Sequence, residues 1–131
     1  MTNSNFHSAA RNVIGGPRAD CSLDPLTGWR RDGRCASGPD DLGNHSVCVL
    51  VTEEFLQFSK AAGNDLSTPR PELGFAGLRP GDCWCVCAGR WEEARRGGAA
   101  PLVRLDATHE RALEVLDLGH LQAHAADTET E

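Results

Sequence analysis

The stretch from Gly15 to Asn44 constrains this chain more than any other part of it. It reads GGPRADCSLDPLTGWRRDGRCASGPDDLGN, with no helical or strand period. Gly, Pro, Asp and Ser recur too often for a helix or a long strand. Irregular runs of this length are uncommon in compact domains, and they are usually functional or disordered. Here Leu23, Leu26, Trp29, Leu42, Cys21 and Cys35 are spread through the run. Those side chains can pin it to a core, so we expect an ordered, irregular wrap. Regular structure must then come from the remainder of the 131 residues. A chain of that size folds as one domain and buries roughly two thirds of its unfolded surface, so it needs neither disulfides nor metal simply to fold.

The remainder alternates between short elements and turns. Ser46 to Val51 is β-branched and apolar, as a strand buried on both faces should be. Thr52 caps a following helix, Glu53 and Glu54 complement its dipole, and Gly63 stops it. Arg79-Pro80-Gly81-Asp82 is a type II turn signal. It delivers the chain into a strand over Cys83 to Ala88. A short helix over Arg90 to Arg96 ends at Gly97, and a strand runs from Leu102 to Asp106. Thr108 caps a short helix reaching Leu113, and Asp117 caps a last one from Leu118 to Ala125. With strands so few and short, the expected class is α+β, a layer of helices on a small sheet, with α/β as the alternative. The expected organisation is a flexible N-terminus at 1–11, one α+β domain over 12–125 and an acidic flexible tail at 126–131.

Charge and targeting signals narrow the function classes. The net charge of −6 works against nucleic-acid or anionic-membrane binding. Met1 to Asn12 is polar and lacks the apolar core of a signal peptide. No apolar run is long enough to span a bilayer. The expected location is the cytoplasm, with a small molecule or a protein as partner.

Six cysteines carry the candidate chemistry: Cys21, Cys35, Cys48, Cys83, Cys85 and Cys87. Without a signal peptide, a disulfide framework is the weaker reading. On a strand, Cys83, Cys85 and Cys87 share one face and attach about 6.6 Å apart. A disulfide needs Cβ atoms near about 3.8 Å, which disfavours a bridge between them. A zinc knuckle needs two to four intervening residues, which they also lack. A metal site must draw on separate segments, and Cys35, Cys48, Cys85 and Cys87 could hold zinc or iron as four thiolates. The ordinary alternative is small buried side chains.

A thiol enzyme is a further reading. Its nucleophile would be a cysteine such as Cys87, with His45 or His109 as base. Arg90 follows Cys87 by three residues and Arg34 precedes Cys35, and a nearby cation favours a thiolate. His45 and Cys48 fall on opposite faces of one strand and converge only if His45 lies in the preceding loop. A third reading is a binding or interaction module whose pocket is built by the long Gly/Pro-rich loops. Trp29, Asp65, Arg70 and Trp91 are its candidate residues. No Walker loop, dinucleotide fingerprint or Gly-x-Ser-x-Gly elbow is present.

Several longer stretches carry a family resemblance. They are Asn12-Val13-Ile14-Gly15-Gly16-Pro17, Asp24-Pro25-Leu26-Thr27-Gly28-Trp29, and Gly63-Asn64-Asp65-Leu66-Ser67-Thr68-Pro69-Arg70-Pro71. Pro80-Gly81-Asp82-Cys83-Trp84-Cys85-Val86-Cys87, Arg90-Trp91-Glu92-Glu93-Ala94 and Ala107-Thr108-His109-Glu110 belong with them. Together they resemble a bacterial family of uncharacterised proteins, domain of unknown function two-two-three-seven, from about Asn12 to Ala125. The resemblance implies one complete domain and brings no activity, cofactor or partner. It covers Cys21, Cys35, His45, Cys48, Cys85, Cys87 and His109. This chain has Arg34 where the family often has a second cysteine, and Cys83 lies outside the family pattern.

Overall fold

A computed structural model describes residues 11–28, 31–36, 41 and 43–126. The expected flexible N-terminus and acidic tail fall almost entirely outside them. Strand β1 (Val47–Leu50) is the centre of a three-stranded antiparallel sheet. It pairs with β2 (Cys83–Val86) on one side and β3 (Leu102–Val103) on the other. Helix α1 (Glu53–Ala61) follows β1, α2 (Ala88–Arg96) follows β2, and α3 (Leu118–Ala123) lies near the C-terminus. Short 3-10 turns occupy Pro71–Leu73, Leu105–Ala107 and Glu110–Glu114. An antiparallel sheet with its helices on one layer is an α+β arrangement, as expected.

The local chemistry explains most of these boundaries. Thr52 Oγ1 accepts from the Phe55 N–H and opens α1. In the turn before β2, the Asp82 N–H donates to the Arg79 carbonyl and Gly81 takes φ +98°, as type II geometry requires. Asp117 accepts from the Gly119 N–H at the start of α3. Two expectations shift. The strand after the turn ends at Val86, and α2 begins at Ala88, so Cys87 is the helix N-cap. The Leu102 strand is two residues long because Leu105–Ala107 turns into 3-10 structure. Thr108 does not cap a helix. Its hydroxyl donates to the Arg104 carbonyl and accepts from the Cys48 N–H, while His109 caps the next turn.

Side-chain alternation gives the sheet two different faces. Val47, Val49, Trp84, Val86 and Val103 point into the main core, with Phe55, Leu56, Trp91, Ala94 and Leu121 from the helices. Cys48 and Cys85 point the other way and meet Cys21, Cys35 and Ala107 in a second buried cluster. The irregular N-terminal segment covers that second face. Its Ala19 N–H donates to the Asp106 carbonyl, and Thr27 Oγ1 accepts from the Cys85 N–H. Gly28 is required where the segment folds on itself. Its φ is +106°, and a side chain would strike the Arg34 carbonyl.

Candidate functional site

The cysteines divide into two groups. Cys21 bonds Cys48 and Cys35 bonds Cys85, each bridge joining the wrap to a strand, with Cα atoms 5.8 Å and 5.3 Å apart. The expectation that disulfides are the weaker reading is therefore corrected. The wrap lies directly over the inward cysteines of β1 and β2, and each strand thiol finds a partner there. No bridge joins Cys83, Cys85 or Cys87 to one another, in keeping with their spacing on the strand. Of the four expected metal ligands, Cys35, Cys48 and Cys85 lie together in the buried cluster, beside Cys21. Cys87 is a free thiol elsewhere, as is Cys83.

Cys87 is drawn away by the end of the strand pair. Val47 lies opposite Val86, so residues just before β1 face residues just after β2. The Ala88 N–H donates to the Asn44 carbonyl and closes that end. His45 sits in the loop before β1, and its Nε2 lies 3.2 Å from Cys87 Sγ, whereas Cys48 is bonded to Cys21. Its Nδ1 lies 2.7 Å from Asp41 Oδ1. The second Asp41 oxygen accepts from the His45 backbone N–H at 2.8 Å. The Asp41 side chain is fully buried, whereas the His45 ring remains 32% exposed. Asn44, at φ +53°, turns the chain between them.

These contacts hold a proton on the ring. The hydrogen bond to Cys87 raises His45 from 6.5 to about 9; burial opposes it, and Asp41 adds to it. Gly43 roofs the pair, and a Cβ there would lie 2.9 Å from His45 Cε1 and 3.1 Å from Cys87 Sγ. Cys87 makes no side-chain cap to α2. The first-turn N–H groups of Gly89 and Arg90 precede the first intrahelical bond, in which the Trp91 N–H donates to the Cys87 carbonyl. Gly89, Arg90 and Cys87 line a surface cleft of about 510 Å³ together with Asn44, Glu93 and Val115. Asn44 Oδ1 is buried there with no hydrogen-bond partner among the described residues.

His45 also lines a second pocket, of about 360 Å³, with Asp65, Arg70, Arg31, Phe75 and Trp84. Two of the expected ligand-binding residues, Asp65 and Arg70, therefore share a pocket. Asp65 is held at about 2, below the usual carboxylate range, by hydrogen bonds from Thr68 and Ser67. Trp91 is placed differently. It is fully buried in the main core, with its ring N–H donating to the Pro101 carbonyl. Its spacing within an amphipathic helix was the signal for core. Trp29 lies outside the described residues. His109 is not joined to Cys87. Its Nδ1 accepts from the Arg111 N–H, and burial pushes it below its ordinary value.

Asp41 is the residue that sequence reasoning missed. Its signal is an acid four residues before His45 within a Gly/Asn turn, so that the turn brings the carboxylate back onto the ring. Among the described residues no helix is long and apolar enough to cross a membrane. No curated protein matches the chain. The family described as "Uncharacterized protein conserved in bacteria (DUF2237)" matches residues 11–125, and the chain belongs to that family.

Proposed function

We propose that this protein is a thiol enzyme of the acyl-transfer class, with Cys87 as nucleophile. One observation carries the reading: Cys87 Sγ, His45 Nε2, His45 Nδ1 and Asp41 Oδ1 form a continuous chain with links of 3.2 Å and 2.7 Å. A base within reach of a nucleophile, oriented by a third group, is the geometry that nucleophilic catalysis requires. The raised value of His45 supports an imidazolium facing the sulfur. The N-terminal end of α2 favours negative charge at the same place.

The chemistry follows from these positions. The Cys87 sulfur attacks a carbonyl carbon, and the carbonyl oxygen gains the electron pair. In this reading the first-turn N–H groups of Gly89 and Arg90 receive that oxyanion. His45 gives its Nε2 proton to the leaving group as the carbon–leaving-group bond breaks, which leaves a thioester on Cys87. His45 then takes a proton from water, the water oxygen attacks the thioester, and the acid departs as the thiol is restored. Asp41 fixes the ring and offsets its charge. The net charge of −6 supports a small-molecule or protein substrate rather than nucleic acid. The unit assigned to this activity is 12–125; the proposed location is the cytoplasm, which keeps Cys87 reduced and in which the Cys21–Cys48 and Cys35–Cys85 bridges persist only as far as their burial shields them.

A second reading rests on the pocket beside His45. Asp65 and Arg70 in one concavity with Phe75 and Trp84 suit a ligand with polar and planar parts.

Acylation by p-nitrophenyl acetate, located by peptide mass spectrometry, tests the enzyme reading. Cys87 should label about tenfold or more faster than Cys83 at neutral pH, and H45Q should remove that advantage. Equal labelling of the two thiols, or no effect of H45Q in a folded protein, refutes it.

A further inference from the structure

The buried sulfur cluster lies outside the Cys87 site and has no part in its chemistry. The sulfurs of Cys21, Cys35 and Cys85 all lie within 4.8 Å of one another. Cys48, outside that trio, is bonded to Cys21, lies opposite Cys85 in the sheet register and belongs to the same buried cluster, so it is the nearest source of a fourth sulfur. A tetrahedral thiolate site with metal–sulfur bonds of about 2.3 Å needs sulfurs about 3.8 Å apart. Three of the four sulfurs are therefore within about an ångström of that spacing, and opening the Cys21–Cys48 bridge frees Cys48 to approach as the fourth.

We propose that the reduced protein binds one Zn²⁺ through Cys21, Cys35, Cys48 and Cys85, so that this face of the sheet exists in a disulfide form and a metal form. Each bridge is opened by one equivalent of a dithiol reductant. Its two electrons and two protons pass to the protein sulfurs, and the reductant leaves as its own disulfide. Two equivalents yield four thiols. Zn²⁺ then displaces four protons and forms four Zn–S bonds.

Three features suit the cluster to this. All four sulfur-bearing residues are at most 4% exposed, so the site is closed, as structural zinc sites are. The ligands come from both strands and from two points of the wrap, so one ion can replace both bridges as the fastening. Four thiolates around Zn²⁺ carry a net charge of −2, and two guanidiniums lie close by. Arg18 donates to the Cys35 carbonyl, and Arg104 donates to those of Asp20 and Cys21.

The test uses the full chain carrying C83S and C87S, so that it is independent of the proposed acyl-transfer site. After anaerobic reduction with a phosphine and removal of the reductant, Co²⁺ and then Zn²⁺ are titrated in, with far-ultraviolet circular dichroism followed throughout. The expected result is one equivalent of Co²⁺ with the visible bands of a tetrahedral thiolate site, displaced by one equivalent of Zn²⁺. Affinity should fall by about a hundredfold or more when C21S or C35S is added. The unreduced protein should take up none. If the reduced apoprotein unfolds, recovery of native ellipticity with one equivalent of Zn²⁺ supports the proposal equally. Uptake well below one equivalent, failure of Zn²⁺ to restore an unfolded chain, or binding unchanged by both C21S and C35S overturns it.

Discussion

Replacing Cys87 by alanine should release the proton that His45 holds. The ring titrates at about 9 in place of 6.5, and the hydrogen bond to Cys87 is the largest contributor. The difference, 9 minus 6.5, is about 2.5 pH units, or about 3.5 kcal/mol at roughly 1.4 kcal/mol per unit. Because the ring is 32% exposed, solvent screening reduces this, and we expect an effect of about 1–2 kcal/mol on folding. The sign is fixed by linkage. A folded-state value above the unfolded one stabilises the protein fully below pH 6.5, and that contribution is lost as pH rises through about 9. In C87A the His45 midpoint should fall by more than about one unit, because burial, which lowers it, then acts without the largest opposing contribution, that of Cys87. D41N should lower it by less, since Asp41 is the smaller of the two raising hydrogen bonds. The assay is an NMR titration of the His45 ring C–H signals in all three proteins, with urea unfolding at pH 6 and pH 10. A wild-type midpoint near 6.5, or a larger shift in D41N than in C87A, would refute the reasoning.

Three further outcomes follow from the geometry. Loss of the Cys35–Cys85 bridge in C35S removes a constraint on a loop spanning 50 residues and should cost about 4 kcal/mol, read from urea unfolding of metal-free protein; a cost below about 1 kcal/mol would contradict it. Gly43→Ala should keep the fold yet lower the rate of Cys87 alkylation several-fold at neutral pH, because the new methyl crowds both His45 and Cys87. Trp91→Ala should cost about 3–5 kcal/mol through cavity formation and a lost N–H partner, whereas Arg70→Ala, at an exposed position, should change stability by about 0.5 kcal/mol or less.

The elements were legible wherever local chemistry decides them. Thr52, the Arg79–Asp82 turn, Gly97 and Asp117 each mark a boundary through a cap or a glycine, and each boundary lies where that chemistry puts it. Cys87 could not be assigned in that way. Residues 83–88 alternate well as a strand, and only the packing of Ala88 and Trp91 into the core starts the helix early and removes Cys87 from the strand face. The partners of the cysteines depended on the path of the wrap, which has no periodicity from which to derive it. His45 and Cys87 were both visible as reactive types. Their meeting depends on the register of two strands far apart in the chain, which neither segment encodes alone.

That wrap has a consequence for how the protein comes off the ribosome. The segment that docks on the far sheet face is synthesised before its anchors at Cys48, Cys85 and Asp106. At about 5–20 residues per second, the segment waits several seconds to more than ten seconds between the synthesis of Ala19 and that of its partner Asp106. For that interval its thiols, Cys21 and Cys35, which are at most 4% exposed once folded, are open to solvent and to any other nascent chain. Leu23 and Leu26, by contrast, stay exposed in the folded protein and do not pin the wrap to a core. The cysteines of the wrap are thus made before the strands that shelter them.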